Sequence, residues 1–324
     1  MNDKMNSKLF DFKILLVYVS LILMILFWGL SFIVVHIAVE YIPPLSIALY
    51  RLTVASISFF IIDIYIKLSK KHKRTRLQII EMNSKPSLNF WILILLASFS
   101  GISLYLFFLY SAVELIGPSI PALYDCLVSP VIIAVFSLIF FREKVNKLKI
   151  VGFVITSIGS YFLITGGDIT KFTPESPVFL GYVFILLTPV LWATYSTVIK
   201  QLEKSHESQS DFKILKFITY FGCLELFIFV VISNQLYIFL TNFLNIVVLL
   251  CGVYLGLICF VFGYYTWNYS QKKLQSSKVA SFLYIGPFIT LIFSFIFQRT
   301  ETILLLNIVG AIIVLIGVVI INYK

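Results

Sequence analysis

The sequence predicts an all-α membrane protein, with ten transmembrane helices arranged as two inverted five-helix repeats. Three observations carry that expectation. The 324 residues are 60% hydrophobic and only 12% charged, with a mean hydropathy of +1.00. A soluble chain carries about a quarter charged residues, and half that supply cannot cover its apolar surface. Apolar runs long enough to cross a bilayer recur ten times along the chain, and the basic residues gather on alternate connections.

A span needs about 20 apolar residues, and such runs fall at 14–36, 45–66, 91–113, 119–140, 148–165, 178–199, 214–233, 246–267, 279–297 and 303–321. The first follows Met1–Lys13 and is similar to the apolar part of a signal peptide. It continues through Trp28-Gly29-Leu30-Ser31-Phe32 without a small-residue cleavage site, so it reads as an uncleaved helix. The longest connection, about 67–90, is basic and too short for a soluble domain. Low charge together with 32 Phe and 18 Tyr excludes disorder. Cys126, Cys223, Cys251 and Cys259 lie in apolar stretches with no CxxC and no His at ligand spacing. They read as small hydrophobes, and neither a metal site nor a cofactor is expected.

The net charge of +10 first suggests a nucleic-acid partner. Placing the charges removes that reading. With the N-terminus inside, 22 of the 25 Lys and Arg residues fall on the inner tails and loops, and only Lys171 and Arg299 fall outside. Arg51 lies within a span. Basic residues resist translocation, so this split orients the chain with both termini cytoplasmic in the cytoplasmic (inner) membrane. A missed or invented span would invert every later loop and spoil the segregation.

The two halves match in spacing. Tyr110 precedes Pro130 by 20 residues, as Trp267 precedes Pro287. Glu143 is followed after nine residues by Gly152 and after seven more by Gly159; Glu301, Gly310 and Gly317 repeat those intervals. Trp28-Gly29 and Trp192-Ala193 stand on the first span of each half. The units are read as residues 1–166 and 178–324, joined by an outer loop at 167–177. Five spans per unit is odd, so the second copy enters the membrane inverted, an architecture of alternating-access transporters with a site at the repeat interface. The paired glycines, seven apart on one helical face, point to close helix packing.

The order of several motifs resembles the EamA-type transporters of the drug/metabolite transporter (DMT) superfamily across nearly the whole chain. They are Phe27-Trp28-Gly29-Leu30-Ser31-Phe32, Ile42-Pro43-Pro44 leading to Tyr50-Arg51-Leu52, and Phe140-Phe141-Arg142-Glu143-Lys144. The second half supplies Leu191-Trp192-Ala193-Thr194-Tyr195, Tyr264-Tyr265-Thr266-Trp267-Asn268-Tyr269 and Ala280-Ser281-Phe282-Leu283-Tyr284-Ile285-Gly286-Pro287. The resemblance implies a ten-helix fold around a central cavity and transport of amino acids, other metabolites or drugs, commonly outward. Gln298-Arg299-Thr300-Glu301 departs from the Gly-Glu pair usual at that turn, and Asp125 and Glu225 belong to no family motif.

Ionisable residues at bilayer depth are expensive unless paired or hydrated, which makes each a functional candidate. Arg51, two turns into the second span, suits a carboxylate or phosphate, an acidic partner, or a reach to the interface. Asp125 lies between Pro121 and Pro130 in a helix whose freed carbonyls must face protein or water. It suits a proton carrier, an ammonium ligand or the partner of Arg51. Glu225, mid-span in the seventh helix, has the same readings. Trp28, Trp192, Tyr124, Tyr195, Tyr264 and Tyr284 sit in spans either as packing or as an aromatic cavity lining.

The expected substrate cavity is therefore Trp28, Arg51, Tyr124, Asp125, Trp192, Tyr195, Glu225, Tyr264 and Tyr284, enclosed by helices 1–4 and 6–9 with helices 5 and 10 in support. No enzymatic activity is expected, since HExxH, GxSxG and Walker patterns are absent from the sequence. The function read here is secondary transport of a small metabolite, an amino acid or derivative first, with export as the direction and a proton as candidate coupling ion. A nucleotide-linked or phosphorylated metabolite is the alternative substrate. A distant alternative is an intramembrane aspartyl protease using Asp125 and Asp168, which requires the two carboxylates to share a site. Partners are thus a small-molecule substrate and the bilayer, with no nucleic acid, in a monomer or homodimer.

Overall fold

A computed structural model describes residues 2–69, 86–141, 147–168, 170, 173–204, 210–274, 279–280, 282–298 and 304–322. Much of the expected inner charge (70–85, Arg142, Lys144, Lys278, Lys324) lies outside the described residues. So do the outer Lys171 and Arg299, and Glu143 and Glu301 of the repeat pattern.

Among the described residues the chain is all-helical. Seven helices are long and apolar enough to cross a membrane: α1 (Asn2–Ala38, apolar from Ile14), α2 (Pro44–Ser69), α3 (Leu88–Ile116), α4 (Ser119–Phe141), α6 (Phe179–Lys204), α7 (Asp211–Ile232) and α8 (Ile246–Lys273). Three shorter apolar helices complete the set, α5 (Lys147–Thr165, apolar over Ile150–Leu163), α9 (Phe282–Ile296) and α10 (Leu305–Asn322). At 1.5 Å per residue the 11 α-helical residues of α9 cover only about 16 Å, so that helix is shorter than a full span. Apolar side chains such as Phe60, Phe288 and Phe295 cover the outer surfaces of the helices, as lipid contact requires.

Local chemistry sets the helix limits. Pro44, with its fixed φ and missing donor, opens α2. Ser87 and Ser210 cap α3 and α7 by accepting from Phe90 N and Lys213 N. Gly117 at φ 77° ends α3 in the left-handed region that favours glycine. A short helix, Leu236–Thr241, separates α7 from α8; at six residues it is too short for hydropathy to reveal.

Among the described residues, two spans are interrupted by π-helical geometry. π-helical turns occupy Phe99–Leu104 within α3 and Tyr254–Phe262 within α8. Adding 157, the offset between Pro130 and Pro287, to the first stretch gives 256–261, inside the second. Packing shows a similar pairing: α1 packs on α8 and α9 as α6 packs on α3 and α4, and α2 meets α8 as α7 meets α3.

The most extensive contact joins α5 to α10. Gly159, Gly310 and Gly317 face the partner helix so closely that an added Cβ would strike its backbone. Asn307, almost fully buried, donates to Leu163 O at 2.8 Å and accepts from Leu304 N at 2.8 Å, pinning the start of α10 to the end of α5. Gly310→Ala is expected to destabilise the protein by about 1–3 kcal/mol through overpacking. A lower melting temperature in detergent is the readout; an unchanged one would refute the backbone contact.

Candidate functional site

The π turns set the walls of the site. A π-helical turn changes the regular i→i−4 bonding pattern, leaving carbonyls available to neighbours. Trp28 on α1 donates from Nε1 to Cys259 O of α8 at 2.8 Å, and Tyr264 on α8 donates from its hydroxyl to Gly101 O of α3 at 3.1 Å. Glycine makes room for these approaches: a Cβ at Gly263 would meet the Trp28 indole, and one at Gly101 would meet the Tyr195 ring. Trp28 then packs edge-on to Trp192 at 5.5 Å and against Trp267 at 5.8 Å. Trp192 contacts Tyr105 and Tyr195 at 5.2 Å and Tyr264 at 5.4 Å, where such pairs are favourable.

Beside this aromatic layer lies a cavity of about 50 Å³, lined by Trp28, Arg51, Tyr105, Tyr110, Asp125, Cys126, Trp192 and Tyr264, with Ser31, Phe32, Leu283 and Gly286. Arg51 comes from α2, about two turns beyond the opening proline. Its Nη1 donates to the Tyr110 hydroxyl at 2.6 Å, and its guanidinium carbon lies 5.3 Å from the Phe260 ring centroid and 5.8 Å from that of Tyr264. Desolvated cation–π contacts contribute about 2 kcal/mol or more. Arg51 Nε has no hydrogen-bond partner among the described residues.

Asp125 comes from α4. Its Oδ2 accepts from the Tyr105 hydroxyl at 2.8 Å and its Oδ1 from Ser129 at 3.2 Å. Both Arg51 and Asp125 are buried, yet they do not pair. Ion pairs form instead between Lys216 and Asp63 at 2.6 Å and between Lys272 and Asp211 at 3.0 Å, near the lysine-rich helix ends. One cavity therefore holds a cation and a carboxylate that have no ion pair among the described residues, each hydrogen-bonded to a tyrosine.

The structure brings five of the nine expected residues into this cavity: Trp28, Arg51, Asp125, Trp192 and Tyr264. Tyr195 is fully buried behind Trp192 and donates to Asn268 Oδ1 at 3.1 Å. Tyr124 is buried beside Asp125 on α4, and Tyr284 is half-buried in the 3-10 turn that opens α9; neither lines the cavity. Glu225 stands elsewhere, at the α7–α3 contact, where its carboxylate accepts from Ser98, just before the first π turn, and from Ser103 within it.

Sequence reasoning left out Tyr105, Tyr110 and Cys126. Tyr110 carried a signal, its match with Trp267 in the repeat, but nothing in one sequence places its hydroxyl against Arg51. Asp168 is exposed after α5 and accepts from Thr170, and the cavity lining contains no second carboxylate, so the shared-proton geometry of an aspartyl protease is not formed there.

Comparison with known proteins agrees with the sequence resemblance. The profile of the EamA-like transporter family matches twice, at residues 15–165 and 179–323. An uncharacterized transporter of Archaeoglobus fulgidus is 25% identical over 310 residues, covering 95% of this chain and 99% of its own length. The uncharacterized transporter YyaM of Bacillus subtilis is 25% identical, with 94% and 93% covered. A solved crystal structure, 16% identical, superposes with a TM-score of 0.58 over 94% of this chain and 96% of that one, which shows a shared fold. This chain, a multi-pass membrane protein, belongs to the EamA-like transporter family.

Proposed function

We propose that this protein is a secondary transporter of a small zwitterion of the α-amino-acid class, built as two inverted five-helix repeats that alternate access to the Arg51–Asp125 cavity. One observation carries the substrate class: a buried guanidinium and a buried carboxylate share the cavity without neutralising each other. A ligand with a carboxylate for Arg51 and an ammonium for Asp125 satisfies both. The cavity volume suits it, since about 50 Å³ accommodates roughly four water-sized groups, the scale of an amino-acid head group. The aromatic walls would take an apolar side chain.

The matched π turns, the paired helix contacts and the double family match support the repeat reading, with units 1–166 and 178–324 joined at 167–177. The charge split supports a cytoplasmic-membrane protein with both termini inside. Export rests on the family resemblance. Proton coupling rests on Asp125 in the cavity, with Glu225 as a second carboxyl inside the bundle. A phosphorylated or nucleotide-linked metabolite is favoured only by the free Arg51 Nε, and Asp125 in the same cavity repels it.

Thermal shift of the purified protein tests the substrate class. α-Amino acids are expected to raise the melting temperature, while their amides and deaminated acids do not. Arg51→Gln removes a charged hydrogen bond, so the same shift should need about 10–100-fold more ligand. Organic phosphates active where amino acids are silent would reverse the substrate order. In proteoliposomes loaded with the stabilising amino acid, Asp125→Asn should lower flux and abolish the pH dependence of what remains; retention of that dependence by both Asp125→Asn and Glu225→Gln would sink proton coupling. A reporter fused after Lys324 is expected on the cytoplasmic side, and a periplasmic signal would overturn the orientation.

A further inference from the structure

Beyond the aromatic layer, α8 continues past Trp267 for about one and a half turns to Lys272 and Lys273 in its last turn, leading away from Tyr264 in the wall of the Arg51 cavity. This stretch is unusual for lipid-embedded protein. Asn268 is 3% exposed and Gln271 8%, and Ser270 and Trp267 are fully buried. Yet Asn268 Nδ2, Ser270 Oγ, both polar atoms of the Gln271 amide and Trp267 Nε1 have no hydrogen-bond partner among the described residues. Ser196 Oγ, buried on α6, is in the same condition. The two helices meet here, because Trp192 packs on Trp267 at 5.4 Å and Tyr195 donates to Asn268. Helical spacing then carries Ser196 and Gln271 one turn further along the same pair of faces.

Buried polar groups are nearly always satisfied, and each exception carries its full desolvation cost. Several on adjoining faces make no sense as permanent core. They make sense as a surface that is wet in another arrangement of the helices. Repeat geometry points the same way. Displaced by 157 residues, Tyr110 falls on Trp267, so the end of α3 that lines the Arg51 cavity corresponds to the end of α8 that bears Asn268 and Gln271.

We propose that Ser196, Asn268, Ser270 and Gln271 form the inner half of the translocation path, a polar station for water and the passing zwitterion that the Trp28–Trp192–Trp267 layer closes in this conformation. The proposal rests on the alternating-access reading above. When the halves exchange roles, the α6–α8 seam parts, and these amides and hydroxyls gain the partners they lack.

Cysteine accessibility tests it whatever the substrate. A charged, membrane-impermeant methanethiosulfonate is applied to either face of membrane vesicles holding Asn268→Cys or Gln271→Cys protein. Ala193→Cys, a fully buried position on α6, and the parent with its four native cysteines are the references. Reaction about tenfold faster than both references is expected, from the face bearing Lys272 and Lys273 only, because the thiol must be solvated to react. Rates no faster than those of Ala193→Cys from either face, or reaction only from the other face, overturn the proposal. Should one variant fail to give monodisperse protein, the other and Ser196→Cys carry the same reading. Labelling as expected in a protein that no α-amino acid stabilises defeats the substrate class and leaves the path standing. Silent cysteines in a protein that amino acids do stabilise defeat the path alone.

Discussion

Inside a bilayer an unsatisfied backbone carbonyl has no water to turn to, and that constraint organises the centre of this molecule. The π turns of α3 and α8 perturb the helical ladder in two matched places, and the carbonyls of Gly101 and Cys259 reach across the bundle to Tyr264 and Trp28. These two bonds hold the aromatic layer upright. Without it Arg51 would lose one of the two ring faces that stand beside its guanidinium, and the cavity would lose a wall. Irregular backbone is thus tolerated where it faces protein and a cavity, and it supplies acceptors there.

The second level of organisation is electrostatic. Burying a charge in lipid costs several kcal/mol unless something compensates. Arg51 and Asp125 are compensated separately, by Tyr110 and by Tyr105 with Ser129. Held apart, each charge depends on its own hydroxyl partners, and the buried tyrosines supply them. Glu225 shows the contrasting arrangement: a carboxyl satisfied by two serines across the α3–α7 contact, away from the cavity.

Much of this was legible in one dimension because its physics is one-dimensional. Hydropathy over about 20 residues reports the thickness of the bilayer, and seven of the described helices are long and apolar enough to cross it. The glycine pairs, Gly152 with Gly159 and Gly310 with Gly317, announced close helix packing, and the structure supplies the partner by setting α5 against α10. Helix length was less legible: for three of the ten expected spans, α5, α9 and α10, the apolar stretch among the described residues is shorter than that of the other seven. Composition also could not sort the polar and aromatic residues within the spans. Trp28, Arg51, Asp125, Trp192 and Tyr264 share a cavity, while Tyr124, Tyr195, Tyr284 and Glu225, chosen on the same grounds, do not line it.

Local properties of the chain, its apolar runs and loop charges, thus establish that this is a multi-helix membrane protein, and the ordered motifs establish its family. Which charges remain unpaired, which hydroxyls hold them and where the helices relax into π turns depend on groups 59 and 231 residues apart, as in the Arg51–Tyr110 bond and that from Trp28 to the Cys259 carbonyl. Rotational setting of one helix against another decides such contacts. A periodicity of 3.6 residues defines a face but not the neighbour it meets, and only packing in three dimensions selects that neighbour.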